Sequence, residues 1–360
     1  MTLAPGSNYG HKNHTRSGFS PPLQFLAVRR DPAPAINTSL AGNVPLHTHP
    51  SGAAQQMQKI IRVERVNFCL MLKGPPEIPT LRGDQFRWQK FMRGTCMNKF
   101  ESLKRNLRRL GKVVVAYSGG LDSTFLLKVA IDTLGRENVI AVTARSETYP
   151  MAEYKEARSI AERLGARHIT INTNELAIQG FKDNPVDRCY YCKKELFKKL
   201  DVLRKKYNMA YLLDGTNFDD LKDVRYGRKA AKELGVRSPL LEAGLGKSDI
   251  RTLSRKMNLP TWDKPSFACL ASRFPFHSTI SRNGLARVGS AEEFLRAMGI
   301  KQFRVRSHGD IARIEVLPSD FSKLIANRNR VSTEMKKLGF VYVAMDLSGY
   351  RTGSMHESEK

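Results

Sequence analysis

The chain has 360 residues and carries 60 Lys and Arg against 34 Asp and Glu, a formal charge of +26. The length supports two domains and a sizeable core; the charge favours anionic partners, nucleotides, nucleic acid or acidic membrane surfaces, although its spread along the chain is equally compatible with a solvated surface. No stretch approaches eighteen consecutive apolar residues, which excludes a membrane-spanning helix on hydropathy, and five cysteines, an odd number with no clean secretory signal, argue against a disulfide framework and for a reducing, cytoplasmic setting.

Residues 1–96 are rich in Pro, Gly, Ser, Thr, Asn and His, and Asp31 is the only acidic residue before Glu64. This composition is that of a disordered extension. It also fits a targeting segment or a start-site artefact, and the sequence leaves these open. Met97 opens MNKFESLKRNLRRLGK, expected as an amphipathic basic helix leading into a first strand, VVVAY. From there to about residue 270, short apolar runs (VVVAY, NVIAVTA, HITIN, YLLD) alternate with helical patterns such as MAEYKEARSIAERLG, whose Gly165 stands where a C-cap belongs. The alternation predicts an α/β fold with a parallel, doubly wound sheet. Ligands of such sheets bind at the carboxyl ends of strands, where SGGLDST, TARSETYP and DGTN all fall.

Residues Ser118–Thr124 read SGGLDST, between a strand and a helix expected to begin near Asp122. A glycine-rich turn entering a helix offers backbone N–H groups and the positive end of the helix to an anion. Ser118, Ser123 and Thr124 add hydroxyls, and Asp122 is suited to hold Mg²⁺ against phosphates. Neither GxxxxGK[ST] nor GxGxxG occurs at this strand end. The loop resembles the SGGxDS signature of the N-type ATP pyrophosphatases, the PP-loop superfamily, which adenylate a carbonyl or carboxyl oxygen and release pyrophosphate. The alternative is a strand–turn–helix kept small for packing. With the crevice at the strand ends, the resemblance implies ATP contacts at Ala116, Ser118, Gly119, Gly120, Asp122, Ser123, Thr143, Arg145, Asp214 and Thr216. Asp219, Asp220 and Asp223 are further Mg²⁺ candidates, or simply an acidic helix start.

Residues 271–360 are expected as a smaller α+β domain: the helical AEEFLRAMG, strands QFRVR and IARIEVL, a helical stretch from Ser319 to Leu338, and the strand FVYVAMDL. Arg304 and Arg306 are two apart on one strand and share a face, as do Arg313 and Glu315 on the next. They form either a phosphate clamp or a solvated face of cross-strand ion pairs. Arg273 is a third candidate for an anion. His308 is given no catalytic role, and Trp262 is expected in the core.

Cys189 and Cys192 form C-Y-Y-C, and Cys269 lies in ACLASRFPF. Three thiols suit an iron–sulfur cluster with one iron lacking a protein ligand, but also a redox pair or ordinary helix cysteines. NTNELAIQGFKDNPVDRCYYCKKELF, DGTNFDDLKDVR, ELGVRSPLLEAGL, LPTWDKPSFACLASRFPF, RVRSHGDIARIEV and GFVYVAMDLSGYRTGSM resemble, in order, the LarE family. The resemblance covers Met97 to Met355. It implies an ATP-dependent sulfur transferase that adenylates a carboxylate of pyridinium-3,5-biscarboxylate mononucleotide and replaces oxygen by sulfur, in nickel-pincer nucleotide synthesis. It implies catalytic roles for Cys189, Cys192, Cys269 and Asp122. The sulfur would be carried on a [4Fe-4S] cluster at the three cysteines, or given up by Cys269 alone. Substrate phosphate would meet Arg273, Arg304 and Arg306, metal would meet Glu292 and Glu315, and the chain would form a homo-hexamer. Arg282 and Asn283 stand where the family has acidic residues, which puts a metal site there in doubt. A tRNA thiolase, an amidating PP-loop enzyme and a non-catalytic nucleotide-binding module are the rival readings. No paired C-x-x-C knuckles or RNA-binding appendage favour the first, so nucleic acid is not the expected partner, and no membrane is expected either.

Overall fold

The computed structural model describes residues 82–221, 226–351 and 353–354. The acid-poor segment 1–81, Cys69 and Asp223 therefore lie outside the described residues. The first helix, α1 (Arg82–Leu110), starts upstream of Met97, where the sequence pattern places its beginning. Leu103, Leu107 and Leu110 recur at helical spacing on its buried face, and Lys99 Nζ ties it to Asp249 at 2.8 Å.

Four strands follow: β1 (Val113–Ala116), β2 (Val139–Arg145), β3 (Arg167–Asn172) and β4 (Tyr211–Leu213). All pair in parallel, in the order β3-β2-β1-β4. Successive residues alternate between two separate cores. Val113, Val115, Val139, Ala141 and Leu213 pack with α1, with α2 (Leu121–Leu134) and with α3 (Met151–Arg163). Val114, Ile140, Val142 and Leu212 pack on the other side with Phe197 and Leu200 of α4 (Arg188–Lys206) and Ala231 of α5 (Tyr226–Glu233). Burial on both faces explains why these strands read as unbroken apolar runs. The short helices α6 (Pro239–Glu242) and α7 (Lys247–Lys256) complete the first face through Leu240, Ile250 and Leu253. Gly165 does follow α3, with its N–H on Glu162 O at 2.9 Å and that of Ala166 on Ala161 O at 3.0 Å, the paired bonds of a Schellman motif.

The chain leaves β1 for β2 and β3 on one side and reaches β4 on the other, so the strand order reverses between β1 and β4. Their carboxyl ends frame a crevice there.

The second sheet is smaller. Helix α8 (Arg282–Ala297) precedes β5 (Phe303–His308) and β6 (Ile311–Val316), which are antiparallel; α9 (Phe321–Ala326) and α10 (Arg328–Lys337) lead to β7 (Tyr342–Met345), parallel to β6. Helix α8 is longer than AEEFLRAMG suggested, because Ser281 Oγ accepts the Gly284 N–H at 3.0 Å and caps it ten residues earlier, before Arg282. The predicted stretch Ser319 to Leu338 is interrupted at Asn327, between α9 and α10. Among the described residues no helix is long and apolar enough to cross a membrane.

Candidate active site

The loop after β1 is stitched by its own hydroxyls. Ser123 Oγ lies 3.1 Å from Ser118 Oγ, accepts the Ser118 N–H at 3.3 Å and donates to Gly120 O at 3.2 Å. Gly119 has φ +66°, and a Cβ there would sit 2.4 Å from Ala157 Cβ and 2.8 Å from its Cα. Backbone conformation and close packing on α3 both demand glycine. The DGTN turn closes over the same helix start: a Cβ on Gly215 would be 3.1 Å from Ser123 N. Asn217 Nδ2 donates to Asp122 Oδ2 at 3.2 Å, which fixes the carboxylate at the mouth of the loop.

Other expected nucleotide residues are engaged within the protein. Thr143 is buried, and its hydroxyl meets Tyr117 O at 2.9 Å and His168 Nε2 at 2.8 Å. Burial, with Arg158 nearby, lowers the His168 pKa. Asp214 accepts from Thr216 Oγ1 at 2.8 Å and Ser238 Oγ at 2.7 Å, so both Asp214 and Thr216 shape the turn. Asp219 accepts the Lys247 N–H at 2.7 Å at the start of α7, and Asp220 accepts the Asn217 N–H at 3.1 Å. These are the cap roles open to an acidic helix start. Ala116 is half-buried at the end of β1. Arg145 is exposed, with its guanidinium 5.7 Å from the Tyr154 ring.

Two hydrogen bonds connect this loop to the cysteine region. Tyr149 OH donates to Ser118 O at 2.8 Å, and the adjacent Thr148 O accepts the Leu270 N–H at 2.9 Å, next to Cys269. A cleft of about 250 Å³ lies alongside, bounded by Arg145, Tyr149, Tyr154, Leu270 and Arg296. Tyr149 went unnoticed in the sequence, although its position in TARSETYP at a strand end was the available signal.

Cys192 and Cys269 are partly buried against one apolar cluster formed around Phe181, Leu270 and Phe274, whereas Cys189 is exposed on the first turn of α4. Burial pushes the Cys192 thiol pKa up, and Cys269, Glu175 and Cys189 all add to the rise, so these groups share one neighbourhood. No disulfide joins the described cysteines. Among the described residues no group of three His, Cys, Asp or Glu side chains is gathered around a single-ion position. Arg188, absent from the sequence reading, is buried one turn before Cys192. Its guanidinium stands 5.1 Å from the Phe276 ring, and its Nε and Nη1 have no hydrogen-bond partner. A buried cation with unused donors one helical turn from a thiol suits an anionic group. Cys189, Cys192 and Cys269 thus share a neighbourhood beside the Arg188 guanidinium, but among the described residues they form no group placed to hold a metal ion.

The arginine face of the second sheet is neither a solvated face nor an open clamp. Arg273, Arg304, Arg306, Glu292 and Glu315 are all buried. Arg273 forms a fork on Glu292 (2.7 and 2.9 Å) and donates to Ala268 O and Cys269 O (3.0 and 3.3 Å), so it holds the cysteine segment from behind. Arg306 forms a second fork on Glu315 (3.0 and 2.9 Å), reaches Ser272 O at 2.7 Å, and shares Ser354 Oγ with that glutamate. Glu292 also accepts the Val305 N–H at 3.0 Å. The carboxylates expected to bind metal are thus occupied by guanidiniums. Arg304 differs. Its bonds go to the Phe303 and Ser266 carbonyls (2.6 and 2.9 Å) and, at 3.5 Å, the Tyr350 hydroxyl; none goes to a carboxylate. Its guanidinium stands 5.5 Å from the Phe267 ring and 5.0 Å from the Tyr350 ring. Burial, reinforced by Arg273, pulls its pKa down to about 10.

Three smaller expectations resolve plainly. Trp262 is at the surface with Arg255 4.9 Å from its ring, because the turn after α7 faces outward; it is not a core residue. His308 ends β5 and accepts from Arg313 Nε at 3.2 Å, a structural contact. Arg282 pairs with Glu147 at 2.8 Å.

A family model described as NAD synthase matches residues 97–211. An uncharacterized protein of Synechocystis is 41% identical over 261 residues, covering 72% of this chain and 97% of its own. The pyridinium-3,5-bisthiocarboxylic acid mononucleotide synthase of Lactiplantibacillus plantarum is 39% identical over 264 residues, covering 73% and 96%. The glutamine-dependent NAD(+) synthetase of Aquifex aeolicus is 36% identical over 90 residues, 24% of this chain and 16% of that protein.

Proposed function

The chain belongs to the LarE family of PP-loop enzymes, and on that premise we propose that it is an ATP-dependent sulfur transferase acting on a pyridinium carboxylate mononucleotide in nickel-pincer nucleotide synthesis. A carboxylate oxygen of the substrate attacks the α-phosphorus of ATP, and pyrophosphate leaves from the SGGLDST loop. A sulfur nucleophile attacks the acyl carbon, the bond to the adenylate oxygen breaks, and AMP departs to leave a thiocarboxylate. Adenylation is needed because a carboxylate oxygen is a poor leaving group, whereas the AMP oxygen is stabilised by its phosphate.

Asp122, held by Asn217, is suited to carry Mg²⁺ against the polyphosphate. Arg304 is the arginine best suited to bind the substrate phosphate, since its charge has no carboxylate partner. Arg273 and Arg306, locked on glutamates, instead position Cys269 through the backbone carbonyls of residues 268, 269 and 272. A [4Fe-4S] cluster held by Cys189, Cys192 and Cys269 would leave one iron without a protein ligand and supply the sulfur. Arg188 offsets the negative charge that thiolates bring to this corner. Exposed Tyr342, Val341 and Leu347 at and beside the edge strand β7 support a homo-oligomer.

The observation that carries this reading is the pair of hydrogen bonds, Tyr149 to Ser118 and Leu270 to Thr148, that holds the ATP loop beside Cys269. Its test is anaerobic purification with iron and sulfide analysis, followed by thiocarboxylate assay with the biscarboxylate mononucleotide and ATP. Iron and sulfide in wild type, their loss in Cys269→Ala, and repeated turnover support the cluster route. Iron-free protein that transfers sulfur once per chain replaces it with consumption of Cys269. Pyrophosphate release that ignores the mononucleotide overturns the assignment.

A further inference from the structure

The loop Ser118–Thr124 contains no basic residue and one aspartate, yet the ligand assigned to it is a polyphosphate. The lysine that other phosphate loops carry must be replaced from elsewhere in the fold. Lys264, on the segment that runs to Cys269, reaches that position. Its Nζ donates to Gly119 O at 3.3 Å, to Glu156 Oε2 at 2.8 Å, and lies 2.8 Å from Glu153 Oε2. An ammonium has three protons, and these three acceptors use them all.

Both carboxylates have other support. Glu153 is buried, but its Oε1 also meets Arg296 Nη2 at 3.1 Å. Glu156 is 43% exposed at its side chain and is solvated without the lysine. Removing the ammonium leaves Glu153, 5% exposed at its side chain, paired with Arg296, and leaves Glu156 to solvent. The backbone of the segment is pinned separately, by Arg251 to Trp262 O at 2.8 Å and Lys264 O at 3.1 Å. A change of side-chain rotamer is enough to move Nζ.

We propose that Lys264 is a phosphate-binding residue of the nucleotide site, parked on Glu153 and Glu156 in the empty enzyme and transferred to the β- and γ-phosphate oxygens when Mg·ATP occupies the loop. This deepens the ATP reading and rests on it. The lysine supplies the cation that SGGLDST lacks, and it does so from the strand of chain that carries Cys269.

The test is calorimetric titration with Mg²⁺ and α,β-methylene ATP, and separately with AMP, of wild type, Lys264→Ala and Glu156→Gln. Loss of one charge-assisted contact predicts roughly 10- to 100-fold weaker binding of the ATP analogue by Lys264→Ala. AMP binding is expected to stay within about threefold, which also shows that the variant is folded. Glu156→Gln removes a competitor of the phosphates, and is expected to bind the analogue as well as wild type or better. Equal loss of both nucleotides, no loss of either, or a Glu156→Gln defect matching Lys264→Ala overturns the assignment and makes the lysine a structural tie. Failure of wild type to bind either nucleotide overturns the ATP reading itself, and Lys264 with it.

Discussion

The two regions expected to meet anions are built on different plans. Around Ser118–Thr124 the groups are hydroxyls, backbone N–H groups, the Asp122 carboxylate and a single lysine paired with Glu153 and Glu156. Around β5 and β6, Arg273 and Arg306 are buried and matched to glutamate in two-bond forks. A site that exchanges its ligand is served by groups that can change partners. A frame that holds a cysteine segment in one place is served by groups that cannot move without exposing a buried charge.

The sharpest way to break this contrast is to remove one buried partner. Glu315→Ala leaves Arg306 without its carboxylate and deprives Arg313 of one of its two. A loss of about 3–5 kcal/mol is expected in chemical denaturation, with a matching drop in folded yield. Next comes Gly119→Ala, which places a Cβ against Ala157 at a positive φ. A cost of about 1–3 kcal/mol is expected, together with weakened ATP binding in calorimetry. A milder defect would show that α3 yields, and that the loop is softer than its packing indicates.

Arg304→Met sharpens the comparison in the other direction. It replaces the one arginine of the face that lacks a carboxylate partner. Thermal denaturation should show stability held or slightly raised, since a desolvated charge is removed. Affinity for the mononucleotide should fall roughly 10- to 100-fold in titration. A large loss of stability would place Arg304 with Arg273 and Arg306 as part of the frame.

The smallest effect concerns pH. His168 has a lowered pKa, chiefly through burial. The unfolded chain therefore binds the proton more readily than the folded one. The stability this site contributes is complete above the unfolded value of about 6.5 and is lost as pH falls through that value and the lower folded one. Melting temperatures of wild type are expected to drop between pH 7 and 5, and His168→Asn should flatten that slope. An unchanged slope assigns the effect to His308, whose pKa burial and Arg313 also lower.

Much of the parallel sheet was legible in the chain itself. Strands buried on both faces read as apolar runs, and SGGLDST marked the turn from β1 into a helix. The alternation of Arg304 and Arg306 with Phe303 and Val305 likewise revealed which residues share a face. These features are set by local periodicity, which a linear string records. It does not record what covers a face. Only folding brought Glu292 across to Arg273 and set Tyr350 and Phe267 beside Arg304, so that the arginine face is a buried frame in which Arg304 bonds carbonyls and not a carboxylate. Lys264 is 145 residues from Gly119 in the chain, and Arg188 stands beside cysteines that masked it, so neither had a local signal. Composition and spacing determined the PP-loop signature and the class of fold; charge compensation, which depends on distance through space and on exclusion of water, was decided by the tertiary structure alone.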